Sequence, residues 1–218
     1  ILAIAVIIPA FYLFGWWIYN AFPNGFVPIE AAAALPWSAS MGPDVQDMGT
    51  GIFWAAFALF GATTGSILSG AVIERIRVSS FLILTIFLGG VVWIMAGAWG
   101  WHPDGWLLTK FGYHDLGASG VVHAVAGFFT LGVLMNLGAR KGKFINGVPQ
   151  IISPHSLPMT LIGLMMIIFG FFGFLGGCII FNGGETGWST IYGTPTNLSA
   201  FAFNTLMGFA GGIIGCYI

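Results

Sequence analysis

Residues 79–101 read SSFLILTIFLGGVVWIMAGAWGW, and this run without a single charged side chain decides the fold. As a helix, a run of this length extends about 34 Å, which is enough to cross the hydrocarbon core of a bilayer. A soluble domain needs roughly a quarter of its residues charged. Here 6% of the 218 residues are charged and 57% are apolar. These features predict an integral membrane protein.

Runs of similar length and composition lie on both sides of residues 79–101. Backbone groups in lipid must find hydrogen-bond partners within the chain, and these runs lack the alternation of barrel strands. We therefore predict an all-α transmembrane bundle of about six spans. Gly61 and Gly65, one turn apart, predict close helix packing in the second span. The predicted spans cover residues 1–22, 49–73, 79–101, 117–138, 157–182 and 197–218.

The basic residues are divided unequally between the two sides of the predicted bundle. The loops on one side carry only Lys110, whereas the loops on the other side carry five basic residues. By the positive-inside rule, the side with five basic residues is cytoplasmic, and both chain ends lie on that side. The net charge of −1 excludes the basic stripe that nucleic-acid binding requires. The loops after the second and fourth spans carry the other basic residues, Arg75, Arg77, Arg140, Lys141 and Lys143.

Two ionisable residues of the predicted fourth span are candidates for function. His123 lies about 12 Å below the start of this span at 1.5 Å per residue. Because such groups are costly in lipid, they usually line a pathway, although a hydrogen bond between helices is the structural alternative. Asp115 opens the same span, where it could cap the helix or bind an ion directly.

Aromatic side chains in the outer half of the bundle could line a pore, but most Phe residues in such a chain only fill space. Phe174 and Cys178 are four residues apart and share one helix face, and Phe60 lies at similar depth in the second span. Phenyl rings there can plug a pore or offer their faces to a cation. Since the chain has 21 Phe residues, composition alone does not distinguish these rings from lipid-facing ones.

The sequence offers no pattern for a cofactor, a metal site or enzymatic chemistry. Cys178 and Cys216 lie in apolar runs without metal-type spacing. A membrane cytochrome would need histidines at depth as haem ligands, but the loops contain His102, His114 and His155. We therefore predict no enzyme activity, no cofactor and no metal.

Several motifs occur in a fixed order along nearly the whole chain. Residues 70–77 read GAVIERIR, residues 101–107 WHPDGWL, residues 115–123 DLGASGVVH and residues 154–158 PHSLP, with Arg140-Lys141-Gly142 and Asn204-Thr205 in register. The four longer segments resemble G-A-V-x-E-R-x-[RK], W-G-P-G-G-W-L, D-F-A-G-G-x-V-V-H and P-H-N-L-P of the Amt/Mep/Rh ammonium transporter family.

This resemblance implies an ammonium-transporter-type bundle with eleven helices in an inverted repeat, assembled as a homotrimer with one pore per subunit. Residues 1–218 would form a partial transmembrane domain, roughly the second to seventh helix, with the remainder of the domain missing. The implied setting is the inner or plasma membrane, crossed several times, and the implied ligand is ammonium or ammonia.

The resemblance also implies roles for particular residues. Asp115 would be the buried carboxylate that shapes the outer ammonium site, and His123 would be one of two pore histidines. The outer site would comprise Trp101 and Cys178, and the stacked gate below it Phe60 and Phe174.

Four positions depart from the family pattern and predict an atypical member. Cys178 replaces the usual Ser, Leu175 the usual Asn, Phe57 a frequent Gln, and Trp17 a Ser of the first span. All four changes remove polarity from the pore region. The alternative function is therefore a non-conducting ammonium sensor that signals to an attached cytoplasmic module or a regulatory partner.

Overall fold

The computed structural model describes residues 1–44, 46–181, 187–190, 192 and 194–218. Among these residues, six helices are long and apolar enough to cross a membrane, which confirms the predicted number of spans. A short helix, α4, lies in the connection between two of them. The helices are α1 (Leu2–Ala21), α2 (Met48–Val72), α3 (Val78–Gly100), α4 (Trp106–Phe111), α5 (Ser119–Leu137), α6 (Leu157–Gly177) and α7 (Leu198–Gly215).

Three of the long helices contain a π-helical turn. These turns cover Phe11–Gly15 in α1, Leu88–Val92 in α3 and Ser119–Ala124 at the start of α5. Such turns are rare and occur frequently at functional sites. The hydropathy pattern cannot predict these turns. An apolar run has the same hydropathy whether its N–H groups bond to the carbonyl four residues earlier, as in an α-helix, or five residues earlier, as in a π-helix.

The connections contain short helices and strands that the hydropathy pattern does not predict. Two 3₁₀ turns, Glu30–Ala33 and Ala39–Met41, lie between α1 and α2. Between α5 and α6, strands β1 (Phe144–Ile145) and β2 (Val148–Pro149) pair antiparallel. Asn146 and Gly147 join them with φ angles of +51° and +79°, as expected for an Asn-Gly hairpin turn.

The predicted fifth span, 157–182, is wrong at its C-terminal end. Helix α6 stops at Gly177, and Cys178 is its C-cap residue. Strand β3 (Ile179–Phe181) follows and pairs antiparallel with β4 (Trp188–Thr190), which pairs with β5 (Pro195–Thr196). Two consecutive glycines weaken the helix end and the β-branched isoleucines after them favour a strand. Residue 182 lies outside the described residues.

The chain divides into two compact units, Ile1–Ile151 and Ile152–Ile218. In the first unit, fully buried Ile7 of α1 packs against glycines of α2 and α3. A Cβ atom added to Gly89 would lie 2.6 Å from Ile7 Cδ1, and one added to Gly61 would lie 3.0 Å from Ile7 Cγ2. Gly65 meets the same side chain. The predicted close packing at Gly61 and Gly65 is therefore confirmed within this unit.

The second unit consists of α6, α7 and the sheet between them. Phe172 of α6 lies 6.2 Å from Phe201 and 6.1 Å from Phe209 of α7, measured between ring centroids. Phe171 also contacts Phe209, at 6.2 Å. Two edge-on pairs and one tilted pair of aromatic rings thus join the two helices.

Candidate functional site

Four aromatic rings from α2, from α3 and from the residue that follows α3 form a cluster in the first unit, which we call the aromatic cluster: Phe57, Phe60, Trp93 and Trp101. The Trp101 ring lies 5.0 Å from Phe60, 5.5 Å from Phe57 and 6.2 Å from Trp93. These centroid distances and the edge-on geometries are those that aromatic quadrupoles favour. The structure thus brings predicted Trp101 and Phe60 together.

Trp101 takes up this position because α3 ends at the preceding residue. It is the C-cap of α3, and its N–H donates to the carbonyl oxygen of Gly97 at 2.8 Å. Its indole Nε1 donates to the backbone oxygen of Asp115 at 2.7 Å. The ring is therefore held by aromatic contacts and by a hydrogen bond to the segment that precedes α5.

Asp115 is 3% exposed and organises the entry into α5. Its Oδ1 accepts from Ser119 N at 2.7 Å and Ser119 Oγ at 2.9 Å. Its Oδ2 accepts from the N–H groups of Gly120 and Val121, both at 2.8 Å. The carboxylate thus satisfies the free N–H groups of the first turn of α5, which is the structural role of a cap. A direct role in ion binding stays a prediction.

Tyr113 belongs to the same network, although the sequence analysis did not single it out. Its hydroxyl donates to Asp115 Oδ2 at 3.0 Å. Glycines make room for its ring: a Cβ atom added to Gly100 would lie 2.9 Å from Tyr113 Cε1, and one added to Gly120 would overlap the Tyr113 hydroxyl. The only sequence signal was its position two residues before a buried acid, which by itself does not indicate a partner.

His123 lies within the π-helical turn that opens α5, and its side chain is exposed. Its Nδ1 is 2.9 Å from the carbonyl oxygen of Ala118, which also accepts from the His123 N–H at 3.0 Å. Because a carbonyl can only accept, this hydrogen bond requires a proton on Nδ1. Ala118 has a φ of +60°, so a left-handed residue sets this arrangement.

His102 lies beside Trp101 outside the membrane spans, and its ring contacts Tyr19 edge-on at 5.1 Å. Burial lowers the pKa of His102, and the Asp104 carboxylate opposes this shift by a smaller amount. His102 Nδ1 accepts from the Asp104 N–H at 3.1 Å, which requires that nitrogen to be unprotonated. His102 is therefore largely neutral at pH 7 and adds little positive charge next to Trp101.

The remaining predicted site residues, Phe174 and Cys178, belong to the second unit. Both side chains are half-buried, and Phe174 lies 6.0 Å from Phe171. The Cys178 N–H donates to the carbonyl oxygen of Leu175 at 3.1 Å, which closes the end of α6. The stacking of Phe174 on Phe60, and the meeting of Cys178 with Trp101, stay predictions.

The polar residues of the described chain do not form a metal centre. Among the residues that the structure describes, no three His, Cys, Asp or Glu side chains lie close enough together to hold a metal ion. Cys178 and Cys216 are free thiols. The features that stand out are the aromatic cluster and the hydrogen-bond network around the buried Asp115 carboxylate.

Gly105, in the turn after Trp101, allows a direct test of how closely the backbone packs in this turn. A Cβ atom there would lie 2.8 Å from Ala98 O and 2.9 Å from His102 O, and it would overlap Trp99 O. Since all three are backbone atoms, we expect Gly105→Ala to destabilise the protein by about 1–3 kcal/mol. Thermal unfolding in detergent measures this change.

Gly127→Ala is the matched control for Gly105→Ala. Gly127 lies within α5, and a Cβ atom added there meets no described atom within 4 Å. We expect this variant to unfold at or above the temperature of the unmodified protein, because Ala favours helix. Equal unfolding temperatures for the two variants would contradict the crowding at Gly105.

A family model matches the whole chain, and individual proteins match most of it. The model of the Ammonium Transporter Family matches residues 1–218. Ammonium transporter Amt1 of Methanocaldococcus jannaschii is 31% identical over 169 residues, 78% of this chain and 40% of that protein. Amt2 of Archaeoglobus fulgidus is 32% identical over 178 residues, 77% of this chain and 36% of the relative.

A plant protein is related at a similar level. Ammonium transporter 1 member 4 of Arabidopsis thaliana is 33% identical over 160 residues, covering 68% of this chain and 32% of its own length. The chain thus spans less than half the length of these curated relatives. Together with the six apolar helices, the match over all 218 residues shows that this chain is a multi-pass membrane protein that belongs to the Ammonium Transporter Family.

Proposed function

We propose that this chain is the part of an ammonium transporter that selects ammonium at an outer aromatic site and passes it into a gated, histidine-lined pore. The observation that carries the proposal is the placement of Trp101 against Phe60, held by the hydrogen bond to Asp115. Cys178 completes the outer site, Phe174 stacks on Phe60 as the gate, and His123 lines the pore below.

Selection at this site rests on the difference between ammonium and its neutral form. The faces of Trp101 and Phe60 attract a cation that has shed part of its water. Further passage of a bare charge through an apolar constriction is costly, whereas neutral ammonia passes at little cost. A proton therefore leaves before or during passage, which hydrated sodium or potassium cannot imitate.

His123 is suited to accept a proton or a hydrogen bond along this path. Its Nδ1 donates to the Ala118 carbonyl, which fixes the orientation of the ring. Assembly as a homotrimer in the inner or plasma membrane completes the proposal and rests on the family relationship.

The second candidate function is an ammonium sensor that binds without conducting. The structural observation in its favour is Phe57, a buried ring that contacts Phe60 at 6.1 Å and Trp101 at 5.5 Å. Where the family often has a Gln, this chain thus places an apolar ring in the aromatic cluster. A cytoplasmic module or regulatory partner would then convert binding into a signal.

The outer site is tested by changing its aromatic face. We expect Trp101→Leu to weaken ammonium binding roughly 2- to 30-fold, the range that corresponds to a lost cation–π contact. Cys178→Ser should tighten binding, because a hydroxyl is a better hydrogen-bond acceptor than a thiol. Isothermal titration calorimetry of the detergent-purified protein measures both effects.

Trp99→Leu is the control for the aromatic substitution. The Trp99 ring contacts Phe26 and Trp106 and lies outside the aromatic cluster. We expect this variant to bind ammonium as the unmodified protein does. Unchanged affinity in both Trp101→Leu and Cys178→Ser would remove these two residues from the proposed site.

A further inference from the structure

His102 and Asp104 place two ionisable side chains directly after Trp101, the ring of the proposed outer site. In residues 101–107, WHPDGWL, they stand where the pattern W-G-P-G-G-W-L of the family has glycines. Because a glycine carries no side chain, this chain adds an imidazole and a carboxylate beside the site. The proposed function uses neither of them.

The His102 ring belongs to the aromatic packing around Trp101. Its side chain is 13% exposed and contacts the Tyr19 ring of α1 edge-on, at 5.1 Å between centroids. Tyr19 lies 4.8 Å from Phe57, and Phe57 lies 5.5 Å from Trp101. A single ring, that of Tyr19, thus joins His102 to the aromatic cluster. A charge on the imidazole would therefore lie close to a cation held at Trp101.

The hydrogen bonding of His102 fits the neutral ring. Nδ1 accepts from the Asp104 N–H at 3.1 Å, so this nitrogen is unprotonated. A proton taken up from solvent at Nδ1 would break this hydrogen bond and leave the Asp104 carboxylate, with Oδ2 3.9 Å from Nδ1, as the partner. Burial opposes this uptake because it lowers the pKa of His102, and the carboxylate favours it by a smaller amount.

The charge of a protonated His102 would be only weakly compensated. Two titratable groups face its ring, the Tyr19 phenol on α1 and the Asp104 carboxylate in its own turn. Asp104 is 74% exposed, so water and salt screen its charge. The surrounding outer elements carry further ionisable groups, which are exposed or occupied by hydrogen bonds. They are Glu30 in the 3₁₀ turn that packs on the end of α1, Lys110 in α4, and Tyr113, His114 and Asp115 before α5.

A positive charge at His102 opposes a cation at Trp101. Two unit charges about 10 Å apart, at the effective dielectric constant of about 20 found near protein surfaces, change an affinity by roughly ten-fold. This repulsion is absent when the imidazole is neutral. An ammonium ion stays charged over the pH range in which histidine titrates, so the histidine alone changes its charge there.

We propose that His102 determines the pH range in which the outer site accepts ammonium: the neutral ring permits binding at Trp101, and the protonated ring repels the cation. This inference rests on the proposed ammonium site. As the pH falls through the pKa of His102, the affinity for ammonium falls with it. Because burial holds this pKa below the ordinary value of histidine, binding persists into mildly acidic conditions. By linkage, bound ammonium lowers the pKa of His102 further.

Ammonium calorimetry of the full-length protein at about pH 7.5 and about pH 5 tests this inference. We expect the affinity to fall at least about three-fold over this interval, and roughly ten-fold once the ring is fully protonated. His102→Asn keeps an acceptor near the position of Nδ1 but cannot be protonated, so its affinity should be the same at both pH values. His114→Gln is the matched control. His114 is an exposed histidine of the same outer connection, and its variant should lose affinity at acid pH as the unmodified protein does.

Two further comparisons keep the test decisive if His102→Asn does not fold. Asp104→Ala removes the carboxylate that raises the pKa of His102, so the loss of affinity should move to lower pH. His102→Lys carries a charge at both pH values, whereas His102→Met is a neutral counterpart of similar length. At about pH 7.5 we expect the Lys variant to bind ammonium roughly ten-fold more weakly than the Met variant.

The outcomes separate this inference from the proposed function. A loss of affinity at acid pH that persists in His102→Asn comes from another group, such as His123, and overturns the inference. Equal affinities of the unmodified protein at both pH values, or of the Lys and Met variants at position 102, overturn it as well. The proposed site at Trp101 survives these results, because ammonium still binds. Absence of ammonium binding at every pH overturns the proposed function and this inference together.

Discussion

Asp115→Ala is expected to unfold the outer end of the first unit and to abolish ammonium binding. The substitution removes the acceptor of three backbone N–H groups and two hydroxyl groups around a residue that is 3% exposed. Each buried donor left unpaired costs about 1–3 kcal/mol. The combined loss is expected to exceed about 3 kcal/mol, a large fraction of the stability of a typical domain.

The effect should reach Trp101 through the backbone. The indole of Trp101 donates to the carbonyl oxygen of Asp115, so disorder at the start of α5 releases the ring from the aromatic cluster. Thermal unfolding and ammonium calorimetry on the same preparation measure the two consequences. We expect a large drop in unfolding temperature and no detectable heat of binding.

Asp104→Ala is the matched control for Asp115→Ala. Asp104 lies in the same outer connection, but its side chain is 74% exposed. Its carboxylate contributes little because an exposed ion pair with a largely neutral histidine is weak. We expect Asp104→Ala to leave unfolding and binding nearly unchanged. A stable Asp115→Ala protein that binds ammonium normally would refute the role of the carboxylate network.

The membrane spans could be predicted from the sequence because lipid imposes a simple requirement on the chain. A long uncharged run such as residues 79–101 must be a helix whatever its neighbours, so composition was sufficient. The same argument failed at the end of the fifth span. Apolar residues 179–181 satisfy hydropathy equally well as a strand, and the Gly176-Gly177 pair before them is a signal for termination that hydropathy ignores.

The candidate site was only partly accessible to sequence reasoning. Their position as ionisable groups in an apolar span singled out Asp115 and His123, and family resemblance added Trp101 and Phe60, but neither could show what holds these residues. The hydrogen bond from Trp101 to the Asp115 carbonyl depends on the meeting of two chain segments, and a backbone acceptor leaves no trace in the sequence. Tyr113 was missed for a related reason, since its partner glycines are ordinary packing residues by composition.

Phe57 shows how a departure from the family pattern gains meaning from the structure. In the sequence it was one apolar replacement among four. In the structure it contacts Trp16 and Tyr19 of α1 as well as three rings of α2 and α3. The ring therefore both ties α1 to the aromatic cluster and removes a polar group from beside Trp101. The Phe57 ring thus strengthens the packing and, at the same time, lowers the polarity beside Trp101. The lower polarity is what favours a sensor over a transporter.

Reconstitution into liposomes is expected to give the largest functional effect. We expect the unmodified protein to produce a slow change of internal pH when ammonium is added outside. The variant Phe57→Gln, Leu175→Asn, Cys178→Ser is expected to be at least about ten-fold faster. A ten-fold rate corresponds to about 1.4 kcal/mol of barrier, within the gain expected from hydrogen bonds to a partly desolvated ion.

A matched control keeps this result specific to the aromatic cluster. Phe53 lies one turn before Phe57 on α2, is 50% exposed, and takes no part in the aromatic cluster. The variant Phe53→Gln, Leu175→Asn, Cys178→Ser makes the same chemical changes with the ring at position 57 retained. If it conducts as fast as the first variant, Phe57 does not limit passage.

The same experiment decides between the two functions. Measurable flux in the unmodified protein, raised by the Phe57 variant, is the result expected of a transporter whose outer site has lost polarity. A protein that binds ammonium by calorimetry yet gives no flux in any variant contradicts transport and leaves the sensor function. The polar substitutions restore hydrogen-bonding groups for an ammonium ion that sheds water. If the pathway stays closed in these variants, something other than the loss of polarity blocks it.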